Sequence, residues 1–413
     1  MKKIVIIFLL IFTQSISALT LDECINKAIA THPDIKNALL GVDASQNGIK
    51  IAKADYLPQV NLNAEYDPTR TYVLPVNGVF NTKDSDGWSV SGVVNQKIWD
   101  FSKTSSNIEA KRVSKDVANL TLEDAKALLA YRVKLKYELM LVQSEAIKVR
   151  EKDLQVKEEL FKQAQALVRN GMKTKADSTR FLSAVYLAKD NLAIAKADYE
   201  KAKVSLSLYI GESIADDVVL KNTLEHLSFL HVDEETLLDN SLTLNGLQKS
   251  IKQESLNYKA TKASHYGSLD AVASYTHQNT LNEYDSSLVG VTLNIPIYSG
   301  GRTSAQVQQS VINKKILKAT YNAKKLSIKE EFENLLIDIK RYSKTIEARE
   351  AQIEASQQTQ YLLQARYKEG ISTYIEVLDA NAILLDAKLS LLQAIYEKSS
   401  AIHRVEYLQG KKV

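Results

Sequence analysis

The chain has 413 residues, of which 25% are charged, and a formal net charge of +4 at pH 7. Because Lys, Arg, Asp and Glu are interspersed, it lacks the basic patch of nucleic-acid-binding proteins, and no nucleic-acid partner is expected. Its single cysteine, Cys24, excludes an intramolecular disulfide.

The first 18 residues have the pattern of a secretory signal peptide. Lys2 and Lys3 form its basic start, residues 4–12 its apolar core, and residues 15–18 a small-residue cleavage region. The alternative is a membrane anchor, but a spanning helix needs about 20 apolar residues and this core is shorter. The sequence therefore predicts that residues 1–18 direct export.

The next segment predicts a helix followed by two strands. Residues 19–54 are mostly helical in pattern, and Cys24 is expected on a buried apolar face. In residues 60–66 apolar and polar side chains mostly alternate, which indicates a strand with one apolar and one polar face. Residues 67–87 are rich in Asp, Pro, Asn and Gly and predict a loop, and residues 88–99 predict the second strand.

A very long helix is predicted next. Residues 102–170 contain neither Gly nor Pro, and at about 1.5 Å per residue they would form a helix roughly 100 Å long. Apolar residues recur every seven positions, in the pattern of a coiled coil. A second row, four residues on, is interrupted by Asp153.

The same layout occurs twice. Three pairs of landmarks are each 199 positions apart, namely Trp99 and Tyr298, Gly171 and Gly370, and Gly211 and Gly410. Such a constant offset indicates a duplicated unit. The second copy contains strands at residues 269–275 and 288–297 and another long helix at 302–369. The predicted domains are the signal peptide (1–18), a first repeat of helix, β-hairpin and long helix pair (19–211), a connecting equatorial segment (212–240) and a second repeat (241–413).

Strands of this length with one apolar face suit a transmembrane β-barrel. Aromatic residues near both strand ends match interfacial girdles; they are Tyr56, Trp99, Tyr266 and Tyr298 at one end and Tyr66, Trp88, Tyr275 and Tyr284 at the other. The alternative is a soluble four-stranded sheet packed on helices. Since four strands cannot close a barrel, the membrane interpretation requires an oligomer in which each chain contributes four strands.

Short motifs in a fixed order make the chain resemble the TolC family of outer-membrane efflux proteins. They are LTLDE (19–23) with HPD (32–34), ADYLP (54–58), IPIYSGGR (295–302), and YKEG (367–370) before VLDA (377–380). The resemblance implies a mainly α fold with a membrane β-barrel, in which a homotrimer forms a twelve-stranded barrel in the outer membrane of a Gram-negative bacterium. A periplasmic α-barrel would continue it. The implied partners are outer-membrane lipid, a periplasmic adaptor (membrane fusion) protein and an inner-membrane RND or ABC pump.

No catalytic or metal-binding pattern emerges. The six histidines are scattered without metal-ligand spacing, and Gly300-Gly301 lacks the remainder of a phosphate-binding loop. We therefore expect no enzyme activity, no metal and no cofactor.

The resemblance also implies a periplasmic aperture at the two helical turns marked by Gly171 and Gly370. The family's aperture residues fall on four positions of this chain, namely Asp177, Tyr367, Glu376 and Asp379. The family's latching arginine falls on Ser372, so that salt bridge cannot form, and Lys173 and Lys175 are the candidate substitutes for the latch. The alternative is that the acids only stabilise helix starts through the helix dipole.

These expectations favour a passive exit duct of a tripartite efflux or type I secretion system. The sequence does not separate drug efflux by a proton-driven pump from protein export by an ATP-driven one. A second hypothesis is a structural coiled-coil protein of the periplasm without a pore, which would be soluble without detergent. An enzyme is the third.

Overall fold

The structure is a computed structural model that describes residues 18–76, 78–216, 218–221, 227–229 and 232–411. The predicted signal peptide lies outside these residues apart from Ala18, as do His226 and His231. The helices are α1 (Leu21–Thr31), α2 (Pro33–Ala54), α3 (Lys103–Arg169), α4 (Lys175–Ile210), α5 (Glu234–Asn240), α6 (Leu242–Ala263), α7 (Arg302–Lys368) and α8 (Tyr374–Leu408). The strands are β1 (Ala18–Leu19), β2 (Gln59–Val76), β3 (Val79–Trp99), β4 (Val219–Leu220), β5 (Ser268–Asn279) and β6 (Glu283–Asn294).

The chain forms two compact units. The first contains Met1–Lys36, Glu123–Ser241 and Ser327–Val413, and the second contains Asn37–Leu122 and Leu242–Leu326. Each unit therefore takes segments from both predicted repeats. Among the described residues, no helix combines the length and apolar character needed to cross a membrane.

The second unit contains a four-stranded antiparallel sheet in the order β2-β3-β5-β6. Its register sorts the side chains into an apolar face and a polar face. The apolar face carries Val60, Leu62, Ala64, Tyr66, Trp88, Val90, Val94, Leu269, Ala271, Ala273, Tyr275, Val289, Val291 and Leu293, with Gln96, His277, Asn279, Glu283, Asp285 and Ser287 as polar exceptions. The polar face carries Asn61, Asn63, Glu65, Ser89, Ser91, Asn95, Asp270, Ser274, Thr276, Gln278 and Thr292, with Val93, Val272, Tyr284 and Leu288 as the large apolar or aromatic exceptions.

The apolar face of the sheet is exposed in the part of the chain that the structure describes. Leu62 is 77% exposed and Val289 is 88% exposed. Among the described strands, β2 and β6 lie at the edges of the sheet and each pair with one neighbour only. An uncovered apolar face between two open edges is typical of a sheet that is completed by other molecules.

The predicted loop at residues 67–87 is wrong, because this segment continues the hairpin of β2 and β3. The two strands pair as far as Val76 and Val79, beside Gly78 with a φ of 80°. A bulge between Asp67 and Arg70 accommodates a proline, which cannot donate to a ladder. The polar residues that indicated a loop instead pair across the hairpin, as in the 2.7 Å hydrogen bond that Thr71 donates to Asp84.

The long helices are confirmed, since α3 and α7 each span 67 residues. Cys24 is buried in α1, as predicted. Asp153, which interrupts the apolar row of α3, is buried beside Lys157 at 3.8 Å. Desolvation raises the pKa of Asp153 and lowers that of Lys157, because burial disfavours both charged forms.

Candidate functional site

The candidate site is built on the two turns that join α3 to α4 and α7 to α8, both in the first unit. Gly171 and Gly370 have φ values of 71° and 78°, in the left-handed region that favours glycine. In both turns the amide of the residue after the glycine donates to a backbone carbonyl near the end of the long helix. Met172 donates to the carbonyl of Leu167 and Ile371 to that of Arg366, each at 2.9 Å. The two repeats thus end their long helices in the same way.

Both shorter helices begin with a capping box. At the start of α4, the Asp177 carboxylate accepts from the Thr174 amide at 3.0 Å, and the Thr174 hydroxyl accepts from the Asp177 amide at 3.4 Å. At the start of α8, Glu376 and Thr373 make the same pair of bonds, at 2.7 and 3.3 Å. The backbone hydrogen bond from Thr373, followed by its hydroxyl, lowers the pKa of the Glu376 carboxyl.

Stabilisation of the helix starts therefore explains some of the acidic residues near the turns. Asp177 and Glu376 each complete a capping box, in which the carboxylate accepts from the threonine amide and the amide donates to the threonine hydroxyl. Asp379 lies one turn further along α8, is exposed and takes no part in this cap. Glu376 is exposed as well, so the face of α8 next to the turn carries two carboxylates.

A small core lies beneath the two turns and draws a side chain from each of the four helices. Its buried members are Leu160, Ala164 and Leu167 of α3, Phe181 of α4, Tyr367 of α7 and Val377 of α8. The rings of Phe181 and Tyr367 meet edge-on, with centroids 5.3 Å apart. The two helical hairpins are thus held together by packing just behind their turns.

The structure places Tyr367 inside this core. Burial, with a smaller contribution from the charge of Asp177, raises the pKa of Tyr367 to about 12. Among the described residues its hydroxyl has no hydrogen-bond partner, and neither has the buried hydroxyl of Ser372. The structure therefore does not join Tyr367 to Asp177 by a hydrogen bond within one chain.

Lys173 crosses from one turn to the other. Its ammonium donates to the backbone carbonyl of Ser372 at 3.1 Å and lies 5.5 Å from the centroid of the Tyr367 ring. Lys175 is the first residue of α4 and is exposed. Of the two candidate latch lysines, the structure thus brings only Lys173 to the opposite turn.

The structure shows a further contact between the two helical hairpins that the sequence does not predict. The guanidinium of Arg180 in α4 lies 4.9 Å from the ring centroid of Tyr374 in α8. Stacking of this kind stabilises by about 0.5–2 kcal/mol. The two residues are 194 positions apart and belong to no motif, so the pairing becomes visible only in the folded chain.

Among the described residues, no three or more His, Cys, Asp or Glu side chains lie together in a way that could hold a metal ion. The described geometry of the turns offers carboxylates, an ammonium and an apolar core. Such an arrangement can attract cations and hold helices together.

Comparison with known proteins gives consistent matches over most of the chain. The family model described as outer membrane efflux protein matches residues 24–212 and 235–410. The outer membrane efflux protein BepC of Brucella suis is 22% identical over 384 residues, which cover 92% of this chain and 82% of BepC. TolC of Escherichia coli is 22% identical over 449 residues, which cover 96% of this chain and 84% of TolC.

Solved structures agree on the fold. CusC superposes with a TM-score of 0.82 at 16% identity, covering 94% of this chain and 91% of CusC. VceC from Vibrio cholerae superposes with a TM-score of 0.80 at 16% identity, covering 94% of this chain and 96% of VceC.

The family match extends over both repeats, and the relatives are channel proteins rather than enzymes. Their names also place them in the outer membrane. The chain belongs to the outer membrane efflux protein family and is a TolC-like efflux channel protein of the Gram-negative outer membrane.

Proposed function

We propose that three copies of this chain form a passive exit duct with a twelve-stranded β-barrel. The observation that carries this proposal is the uncovered apolar face of a sheet with two open edges. In lipid, open edges would leave backbone groups without partners, so four strands must be joined by strands from other copies. The number of copies comes from the resemblance to TolC.

In this assembly the apolar face contacts outer-membrane lipid and the polar face lines the lumen. The long helices continue the barrel as a periplasmic α-barrel. At its end the duct meets a periplasmic adaptor protein and an inner-membrane RND or ABC pump, which supplies the energy. The duct itself performs no chemistry.

We further propose that the two helical turns form the periplasmic aperture, with Asp177 and Tyr367 among its residues. Three chains would bring three copies each of Glu376 and Asp379 around one axis. Rings of acidic side chains concentrate cations and favour their passage. Like charges in a ring also resist simultaneous ionisation, which opposes the lowering of the Glu376 pKa by Thr373 in the single chain.

Planar-bilayer recording of the purified protein tests this arrangement. We expect a cation-selective pore that multivalent cations block from the periplasmic side. Glu376→Gln with Asp379→Asn should weaken both selectivity and block without disturbing assembly, because Gln can replace Glu in a capping box. The matched control is Asp190→Asn with Glu354→Gln, which removes two exposed carboxylates away from the turns. An anion-selective pore, or equal behaviour of the two double variants, would remove Glu376 and Asp379 from the pore lining.

A further inference from the structure

A polar cavity lies where the strands of the sheet meet the helices of the second unit. Its volume is about 570 Å³, within the range of roughly 300–1,000 Å³ that is typical of small-molecule sites. Side chains from β3, from the first turns of α3, and from α6 and α7 line it. All of its lining residues belong to the second unit, so a single chain builds the cavity.

Two lysines in the lining are available to a ligand. Lys97 is half-buried near the end of β3, and Lys103 is the exposed first residue of α3. Among the described residues, neither ammonium makes an ion pair or a hydrogen bond. Asp270 is the ladder partner of Lys97 but accepts a 2.6 Å hydrogen bond from Ser268. Of the lining residues that the structure describes, only Asp55 is acidic, so the cavity carries a net positive charge.

The backbone between the two lysines is fixed in an unusual conformation. Phe101 and Ser102 have φ values of 55° and 69°, which are uncommon in residues other than glycine and persist only where the surrounding structure imposes them. The buried Asp100 holds the first turn of α3, because its carboxylate accepts from the Thr104 amide at 2.9 Å. The backbone at the cavity is thus ordered before a ligand binds, which lowers the entropic cost of binding.

The rest of the lining supplies neutral hydrogen-bonding groups. Asn107 of α3 and Gln306 of α7 contribute side-chain amides, and Ser264 of α6 contributes a hydroxyl. Amide and hydroxyl donors can bind the oxygens of an anion next to the two ammoniums. This combination matches a carboxylate or phosphate group on a small organic molecule.

The register of the sheet places Lys97 on the polar face. Along β3 it alternates in step with Val93 and Asn95, and it lies opposite Asp270 of β5. In the proposed barrel the polar face lines the lumen, so the cavity would open to the lumen. An outer-membrane lipid would contact the apolar face, which makes a lipid headgroup the less favoured ligand.

We propose that Lys97 and Lys103 of each copy form a lumenal site for small organic anions, which they bind through a carboxylate or phosphate group. Three copies would place six ammoniums around the duct, and rings of lysine favour the entry of anions. The inference rests on the proposed duct and adds a class of cargo to it, namely anionic molecules that bind reversibly on their way out.

Calorimetry of the purified full-length protein in detergent at low ionic strength tests the site. Citrate is the carboxylate probe, glycerol 3-phosphate is the phosphate probe, and neutral triethyl citrate is the control ligand. We expect one anionic probe per chain. Lys97→Gln with Lys103→Gln should weaken its binding by about tenfold or more, because both ammoniums are lost. The probe whose binding depends on the lysines identifies the anionic group.

Two further double variants serve as controls. Lys97→Arg with Lys103→Arg keeps both charges and should bind the probe within a few-fold of wild type. Lys318→Gln with Lys325→Gln removes two exposed lysines of α7 outside the cavity and should bind as wild type does. If neither probe binds, or if the two glutamine variants bind equally well, the site is overturned.

Planar-bilayer recording tests the lumenal location. The tighter-binding probe, added on the external side, should reduce the current of the wild-type pore. The pore of Lys97→Gln with Lys103→Gln should be several-fold less sensitive. Lysine-dependent binding without any effect on the current would overturn the lumenal location. A protein that forms no pore would overturn the duct, whereas a normal pore with lysine-independent binding would overturn the site alone.

Discussion

The ammonium of Lys173 connects two helical turns that are 199 residues apart in the chain. It faces a backbone carbonyl and an aromatic ring, so its contact does not depend on the identity of the side chain at Ser372. A lysine can therefore tie the turns where a salt bridge is absent. The contact also withdraws the ammonium from solvent beside the buried Tyr367.

Replacing Lys173 should loosen the turns. We expect Lys173→Ala to raise single-channel conductance, because it removes both the hydrogen bond and the cation–π contact. Lys175→Ala is the matched control, since Lys175 is exposed, and it should change conductance little. Ser372→Ala should also have little effect, because the backbone carbonyl remains. If Lys173→Ala and Lys175→Ala conduct alike, Lys173 is not the latch.

A second residue-scale feature is the buried His403 of α8. Its Nε2 lies 2.8 Å from a carboxylate oxygen of Glu138, and its Nδ1 lies 3.0 Å from one of Glu406. Both nitrogens face carboxylate oxygens, an arrangement that favours the doubly protonated imidazolium. Burial alone would lower the pKa of His403, but these hydrogen bonds outweigh it and raise the pKa. Burial alone would raise the pKa of Glu406, but bonds from His403, Lys134 and Lys411 hold it well below its usual range.

The pKa shifts of His403 and Glu406 predict how the stability of the fold depends on pH. A raised histidine pKa stabilises the fold fully below the unfolded value of about 6.5, and the stabilisation is lost as pH rises through the folded pKa. The depressed pKa of Glu406 contributes stability above about pH 4.3, the unfolded value, which is lost only as pH falls through the lower folded pKa. The Tm of the purified protein should therefore fall as the pH rises above about 6.5. His403→Gln should flatten that fall, and an equally steep fall in the variant would contradict the assignment.

At the scale of elements, the two faces of the sheet should differ in their tolerance of a charged side chain. Leu62 lies on the apolar face and its neighbour Asn63 on the polar face. Leu62→Arg should destabilise the assembled barrel by about 2–4 kcal/mol near the bilayer midplane. Asn63→Arg should be tolerated, because in the proposed barrel the polar face would line a water-filled lumen. The yield of folded oligomer on a semi-native gel measures both, and equal losses would mean that the faces are assigned wrongly.

The sequence predicts the structure best where one local rule applies to many consecutive residues. The helices α3 and α7 have ends within a residue of those expected, because Gly and Pro are absent inside them and glycine follows each one. The predicted loop at residues 67–87 is wrong because turn-forming residues also suit a hairpin exposed on both faces. Contacts between side chains cannot be predicted from such local patterns. Nothing local shows that Lys173 meets Ser372, or that Asp153 is buried with Lys157.

At the scale of the whole molecule, the uncovered apolar face predicts how the protein is extracted. The mature chain should remain with the outer membrane and require detergent, because the apolar face would otherwise contact water. Fractionation followed by light scattering of the solubilised protein should give a particle of three chains. Recovery of the chain from a periplasmic extract without detergent would instead support the structural coiled-coil alternative.

The capping boxes of the two turns also bear on the thermodynamics of opening. Ordering a backbone residue costs about 1–2 kcal/mol of conformational entropy. The bonds of Thr174 with Asp177, and of Thr373 with Glu376, are made inside each turn and order it as the single chain folds. If the turns form the proposed aperture, a wider opening would require them to separate but not to unfold. The free energy of opening would then reside in the few contacts between the turns, and single substitutions there should shift the balance between closed and open ducts.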